Sequence, residues 1–303
     1  MVDLRRLRIL RAVAHYGTVT AAAEALHFTP SAASQQIRQL GRELGVALLE
    51  PNGRGVLLTP AARSLLVHAD AIQAQWEQAE IEMLGLGAEP SGTLRVAGFP
   101  TALACLLVPM AAALRADHPR LDVRLLEAEP GECTDLLFRG EIDLTVIEVA
   151  PDSPPPTDTR FDQAPLLDDV LDLLVADGHR LAGRASVPLE EAATEPWVLS
   201  PPDTTCRAHA VMACGAAGFT PHGSHQARSW SSVTTLVAHG LGVALVPRLV
   251  HVSPALPVTR VRVDGPRAPV RKLVTCTRRG SRGHPSVKAA VRALERIAPE
   301  ATA

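Results

Sequence analysis

The stretch Gly17–Ala47, GTVTAAAEALHFTPSAASQQIRQLGRELGVA, decides how the rest of the chain is read. It predicts two short helices joined by a tight turn. The first is TAAAEALH, with Ala22, Ala23 and Leu26 at helical spacing, and the turn is Phe28-Thr29-Pro30. The second begins at Ser31 and carries Ala33, Ile37, Leu40, Leu44 and Leu48 on one stripe. Thr29 suits the N-cap, because its hydroxyl can accept from an orphan amide, and Pro30 suits the first helical position. The other face holds Ser31, Ser34, Gln35, Arg38 and Arg42 and no carboxylate. Such a small, amide-rich, cationic face can enter a DNA major groove and hydrogen-bond base edges. Two ordinary core helices would share the apolar stripe. The tight turn, the Ala-rich first helix and the carboxylate-free face favour a helix-turn-helix.

Outward from this pair the pattern continues. Leu4, Leu7, Leu10 and Ala14 predict a supporting helix before it. After it, LLEPNGRGVLLT reads as a β-hairpin wing with Arg54 at the tip, placed for a phosphate or the minor groove. Leu65, Ala69, Ile72, Trp76, Ala79, Met83 and Leu86 then step by three and four, a heptad seam that points to dimerisation through a long helix. Gly85, Gly87, Pro90, Ser91 and Gly92 end that helix and mark a domain boundary. Beyond them strands and helices alternate, which predicts βαβ units on a mostly parallel sheet. The chain divides into a head (1–59), a linker helix (60–91) and a body (92–303). The body reads as two α/β lobes crossed twice by the chain, one of about 92–163 plus 266–303 and the other of about 164–265, with a ligand cleft between them.

Composition is consistent with this division. The chain has 303 residues, 47% of them apolar, enough for sizeable cores, and no apolar run reads as approaching a membrane span of roughly 20 residues. The N-terminus lacks a signal peptide's apolar core, so a cytoplasmic location is expected. Net charge is −2, yet residues 1–63 hold eight Arg against four acids, a basic head on an acidic body. Five scattered cysteines, an odd number, fit a reducing compartment rather than a disulfide framework. There is no Gly-rich phosphate loop, no G-x-S-x-G and no paired carboxylates, so no enzyme and no cofactor is expected.

With these motifs in view, AAAEALHFTPSAASQQIRQL, ELGVALLE, NGRGVLLTPAA, GEIDLTVI and HGLGVALVPR, the chain resembles the LysR-type transcriptional regulators over essentially its whole length. The resemblance implies an α/β protein with an N-terminal winged helix-turn-helix, a dimerising linker helix and a two-lobed, periplasmic-binding-protein-like effector domain. It implies promoter DNA, a small-molecule effector, a second copy of the chain (as dimer or tetramer) and RNA polymerase as partners, with no membrane. By position, Thr18, Thr29, Pro30, Ser31, Ala32, Ser34, Gln35, Arg38 and Arg54 match the family's DNA-binding residues. Pro51 stands where members commonly have Arg, and Gly41 where they have an acid. Phe99, Pro100, Thr101 and Ala102 would form one wall of the effector cleft. Pro202, Asp203 and Thr204 would form the other, with Glu148, Ser229 and Trp230 near the crossovers. Asp203 and Glu148 would repel a dicarboxylate unless paired, so a cationic or zwitterionic effector suits the cleft as well as an acid does.

Three alternatives stay open beside a plain effector response. Peroxide-sensing members carry a reactive cysteine pair near Cys206 and Cys214, but the spacing here is one residue short and only Cys214 keeps the register. Eight residues of helix span about 12 Å, beyond the roughly 7 Å a disulfide allows between Cα atoms. Cys206, His209, Cys214, His222 and His225 loosely imitate zinc spacing, which scattered surface histidines explain as well. A solute-binding protein without a DNA role would share the two-lobe body but not the head.

Overall fold

The computed structural model describes residues 3–52, 55–84, 89–150, 153–265 and 268–301. The head consists of α1 (Leu4–Tyr16), α2 (Val19–Ala25), α3 (Pro30–Leu44) and a hairpin of β1 (Leu49–Asn52) and β2 (Gly55–Leu58). Thr18 caps α2, accepting from the Ala21 amide at 3.1 Å, and Thr29 caps α3, accepting from the Ala32 amide at 3.2 Å. Leu10, Val13, Ala22, Ala23, Ala33, Ile37 and Leu40 form a continuous core, in which the alanines let the helices approach closely. The second helix of the pair is shorter than its apolar stripe predicts. It ends at Leu44, with Gly45 in the left-handed region at φ 70°, and Leu48 reaches the core from outside the helix. This reversal brings the Val46 carbonyl to 2.7 Å from where a Cβ on Gly41 would stand. Close backbone approach therefore explains the glycine, against its intrinsic helix penalty of up to about 1 kcal/mol. The wing-tip residue Arg54 lies outside the described residues.

Helix α4 (Pro60–Leu84) leaves the hairpin and uses two faces. Ala69 joins the head core, and Glu77 is buried against the body, accepting from Arg278 Nε at 2.8 Å. Ile72, Trp76 and Met83 of the heptad seam are exposed. Gly85, Leu86 and Gly87 lie outside the described residues.

The body is built on β3 (Gly92–Gly98), β4 (Leu121–Glu127), β5 (Leu144–Glu148), β6 (Phe161–Ala176), β7 (Ser186–Pro188), β8 (Pro196–Leu199), β9 (His222–Gln226), β10 (Ala244–Pro247), β11 (Val258–Asp264) and β12 (Val270–Arg278). One sheet runs β4-β3-β5-β12-β6-β11-β7, with β10 also paired to β6, and β8 pairs β9 in parallel. The sheet is mixed rather than mostly parallel. Only β3, β4 and β5, and the β7–β11 pair, run parallel within it; β6 and β12 are antiparallel to each other because one carries the chain across the body and the other brings it back. Crossing occurs inside the continuous 16-residue β6, near Val170, where its partner changes from β12 to β10 and β11. The sequence pattern instead begins this strand at Val170 and puts the lobe boundary at 163/164. FDQAPLLDD lacks the alternation of an ordinary strand, and Pro165 sits at a register shift opposite Leu273/Val274.

Helices cover both faces of each half. Lobe I has α5 (Pro100–Ala102), a π turn (Leu103–Leu107), α6 (Val108–Asp117) and α10 (Pro285–Glu300) on one core and α7 (Pro130–Arg139) on the other. Lobe II has α8 (Thr205–Ala216) and α9 (Trp230–Ala238) on separate cores. The run Pro100–Asp117, with mean hydropathy 1.3 over 18 residues, comes closer to a membrane span than the sequence pattern suggests. Leu106, Leu107, Met110 and Leu114 bury its apolar face in the core of lobe I, which accounts for the composition.

Candidate DNA-binding face and effector cleft

Helix α3 turns Ser31, Gln35 and Arg38 to solvent and leaves Ala32 and Ser34 half-exposed. Arg38 Nη1 donates to Ser34 Oγ at 2.7 Å, and the Thr29 and Ser31 hydroxyls lie 3.2 Å apart. Glu43, the carboxylate of this helix, is held at its far end by Arg6 and Gln39. The exposed end of α3 thus offers hydroxyl, amide and guanidinium groups without a competing acid. Thr18, capping α2, is exposed as well.

Between the lobes lies a cleft of about 570 Å³. Phe99, Pro100, Thr101 and Glu148 line it from lobe I, and Thr204, Ser229 and Trp230 from lobe II. Ala102 is instead fully buried in the core, because its side chain faces the sheet. Pro202 and Asp203 stand outside the lining, and Asp203 is exposed, paired with Arg228 Nη2 at 2.8 Å. Arg271, Arg228, Glu127, Glu129, Thr205 and Cys206 also line the cleft, and sequence reasoning does not place them there. The negative charge expected at the site is largely answered. Glu148, buried at the end of β5, contacts His209 Nε2, accepts from Thr205 Oγ1 at 3.3 Å and lies 3.8 Å from Arg271 Nη1. Arg271 is 2% exposed, donates through Nε to Asp169 at 2.8 Å and stands 5.2 Å over the Phe99 ring, yet its Nη2 has no partner among the described residues.

Cys206 and Cys214 occupy one unbroken helix, α8. Burial, with the Glu148 carboxylate nearby, pushes the Cys206 thiol up to about 11, and burial pushes Cys214 up to about 12. Neither is poised as a thiolate near neutral pH. His209, which the sequence presents as one of several scattered surface histidines, is half-buried on Glu148.

Comparison with known proteins matches this architecture at both ends. Residues 4–63 match the bacterial regulatory helix-turn-helix protein, lysR family, and residues 87–298 match the LysR substrate binding domain. The chain belongs to the LysR family. It is a DNA-binding transcriptional regulator with an effector-binding domain, and not an enzyme. It is 31% identical over 251 residues to the transcriptional dual regulator GltC of Bacillus subtilis, covering 81% of each chain. It is 29% identical over 264 residues to the transcriptional dual regulator OxyR of Escherichia coli, covering 87% of this chain and 83% of that one. Full-length OxyR from Pseudomonas aeruginosa shares the fold with TM-score 0.66 at 20% identity, over 99% of this chain and 97% of that one. An OxyR mutant from Corynebacterium glutamicum does so with TM-score 0.63 at 24% identity, over 100% and 93%.

In this LysR-family regulator the head also docks on lobe I of its own chain. His15, near the end of α1, stacks on Phe138 of α7 at 4.3 Å between ring centroids and 18° between planes. Its Nε2 lies 2.6 Å from Asp135 Oδ1 and its Nδ1 2.6 Å from Arg160 Nη1. Arg8 Nη2 donates to the Arg139 carbonyl at 3.1 Å. Burial, with Arg160 opposing the help of Asp135, holds His15 below its ordinary 6.5. Nothing in the sequence pairs α1 with α7, which lie more than a hundred residues apart.

Proposed function

We propose that this regulator binds promoter DNA in the cytoplasm as a dimer or as a tetramer made of two such dimers, and that a small molecule in the inter-lobe cleft alters the spacing of its heads. The observation that carries the reading is the solvent-facing end of α3, where Ser31, Ser34, Gln35 and Arg38 stand together without a carboxylate. Gln35 suits bidentate contact to an adenine, and Arg38 suits a guanine or a phosphate. Thr18, Thr29 and Pro30 border this face, and Arg54 belongs with it by sequence position. Ile72, Trp76 and Met83, exposed on α4, supply the apolar seam for a second copy.

Selection from randomised DNA duplexes tests the reading. A two-fold symmetric or repeated motif is expected, with affinity falling steeply in salt. Arg38→Ala is expected to weaken binding and flatten the salt slope by about one unit if it meets a phosphate. Failure to enrich any motif, with the protein folded and dimeric, would falsify specific DNA recognition by this face. Trp76→Glu is expected to shift sedimentation toward monomer.

Thiol oxidation is the rival signal, suggested by relatives named as hydrogen peroxide-inducible genes activators. The raised thiols on an intact helix favour ligand occupancy instead.

A further inference from the structure

The cleft has an electrostatic pattern that selects among small molecules. On its floor, Arg271 is buried with Nη2 unpaired among the described residues. Both N–H groups there lack an acceptor, a costly arrangement that a ligand oxygen would relieve. The N-terminal ends of α8 and α9 open on the same space through Thr204 and Ser229, adding partial positive charge. The floor therefore calls for a carboxylate or a similar acceptor.

The lobe I rim is opposite in sign. Glu127 at the end of β4 and Glu129 before α7 are exposed and line the cleft, and their carboxylates have no hydrogen-bonding or ionic partner among the described residues. Arg228, the cation on the facing rim, is already paired with Asp203. Below them Arg271 faces two buried carboxylates, Asp169 and Glu148, the second also in contact with His209. A purely anionic ligand would add negative charge to a site whose lining guanidinium groups, Arg271 and Arg228, already face carboxylates. A purely cationic one would leave Arg271 Nη2 unanswered. Phe99, Pro100, Ala104, Trp230 and Val250 give the cleft an apolar stretch of wall beside Ser200, Ser231 and His251.

Building on the reading of this cleft as the effector site, we propose that the effector is a zwitterion of the α-amino acid class. Its carboxylate meets Arg271 Nη2 on the floor, its ammonium faces Glu127 and Glu129 on the rim, and its side chain lies on the apolar wall. The volume of about 570 Å³ is ample for a free amino acid.

The test uses the full-length protein and thermal shift with the twenty common α-amino acids, followed by calorimetry. Each stabilising amino acid is compared with the acid lacking its amine and the amine lacking its carboxylate. Both truncated compounds are expected to bind at least about tenfold more weakly. E127Q together with E129Q, on the exposed rim where folding is not at stake, is expected to narrow the gap between the amino acid and its deaminated acid to about threefold or less. R271Q is expected to abolish binding of both. Ser231 is an exposed residue of the cleft lining, and Ser231→Trp, which fills the cleft from that side, separates the two readings. If a deaminated acid stabilises the parent protein as well as the amino acid does, and Ser231→Trp removes the effect, the zwitterion is wrong and the cleft stands. If an amino acid stabilises Ser231→Trp undiminished, the cleft reading itself is wrong. If no amino acid stabilises the parent protein, the proposed class is overturned.

Discussion

Truncating Phe138 to alanine isolates the contact between the DNA-binding head and lobe I. The ring stacks on His15 at 4.3 Å, meets Tyr16 edge-on at 6.3 Å, and lies 5.2 Å from the Arg11 guanidinium and 5.7 Å from that of Arg160. Aromatic pairs contribute about 0.5–1.5 kcal/mol each and partly exposed cation–π contacts about 0.5–1. These terms are not additive, and the polar contacts of His15 and Arg8 survive the change, so about 2 kcal/mol of docking energy should be lost. That corresponds to a docking equilibrium weakened about thirtyfold. The folds should persist, because Phe138 sits near the outer end of α7 while Leu136 and Leu137 keep that helix in its core. Hydrogen exchange is the assay. Amides of residues 12–17 and 135–140 are expected to exchange faster by about that factor, while the core helix α10 is unchanged. Equal protection of those segments in both proteins would refute the docking argument. A uniform loss of protection everywhere would show instead that Phe138 supports the global fold.

The same contact should respond to acid. Since His15 has its folded value depressed below 6.5, the released head binds more protons between that folded value and 6.5. Docking should therefore be at full strength above about pH 6.5 and weaken as pH falls through that window, and His15→Gln should remove the dependence in the same exchange experiment. Gly280 has φ +86°, and a Cβ there would stand 2.4 Å from the Ala74 carbonyl of α4. Gly280→Ala should cost at least about 2 kcal/mol and lower the thermal midpoint by several degrees; an unchanged midpoint would show that α4 is not seated against lobe I. Cys206, with its thiol pushed up to about 11, should react with iodoacetamide at pH 7.5 roughly 100-fold more slowly than a free cysteine. Reaction at the free-cysteine rate would restore the thiol-sensing reading.

Most of the head is legible in the amino-acid sequence, because its signals are local. A cap, a proline, a glycine and a three-four stripe act over a few residues, so TPSAASQQIRQL declares a helix with one wet face wherever it is placed. The stripe misleads at its end: Leu44 is exposed on the last turn, Gly45 ends the helix, and Leu48 reaches the core from the following turn. The alternation of strands and helices in the body is readable for the same reason. Strand direction is not, since the antiparallel pairing of β6 with β12 joins segments about a hundred residues apart and no local pattern encodes it.

The chemistry of the cleft belongs still more to the tertiary structure. Phe99, Pro100 and Thr101 can be placed because they follow a recognisable strand. Arg271 looks like one more charged residue in VRKLVTCT, and its burial follows from the partner that β12 meets: Asp169, 102 residues earlier, accepts its Nε. Asp203 looks like a free acid until folding sets Arg228 beside it. Sequence alone determined most of the helices and strands, the first half of β6 excepted, and which helix carries a polar face without a carboxylate at its exposed end, because propensity and amphipathic period act at short range. Only the fold decided which charges are paired, which cation is left buried with an open valence, and where the head rests on the body. Those outcomes depend on dielectric surroundings and on neighbours that the chain brings together only when it is packed.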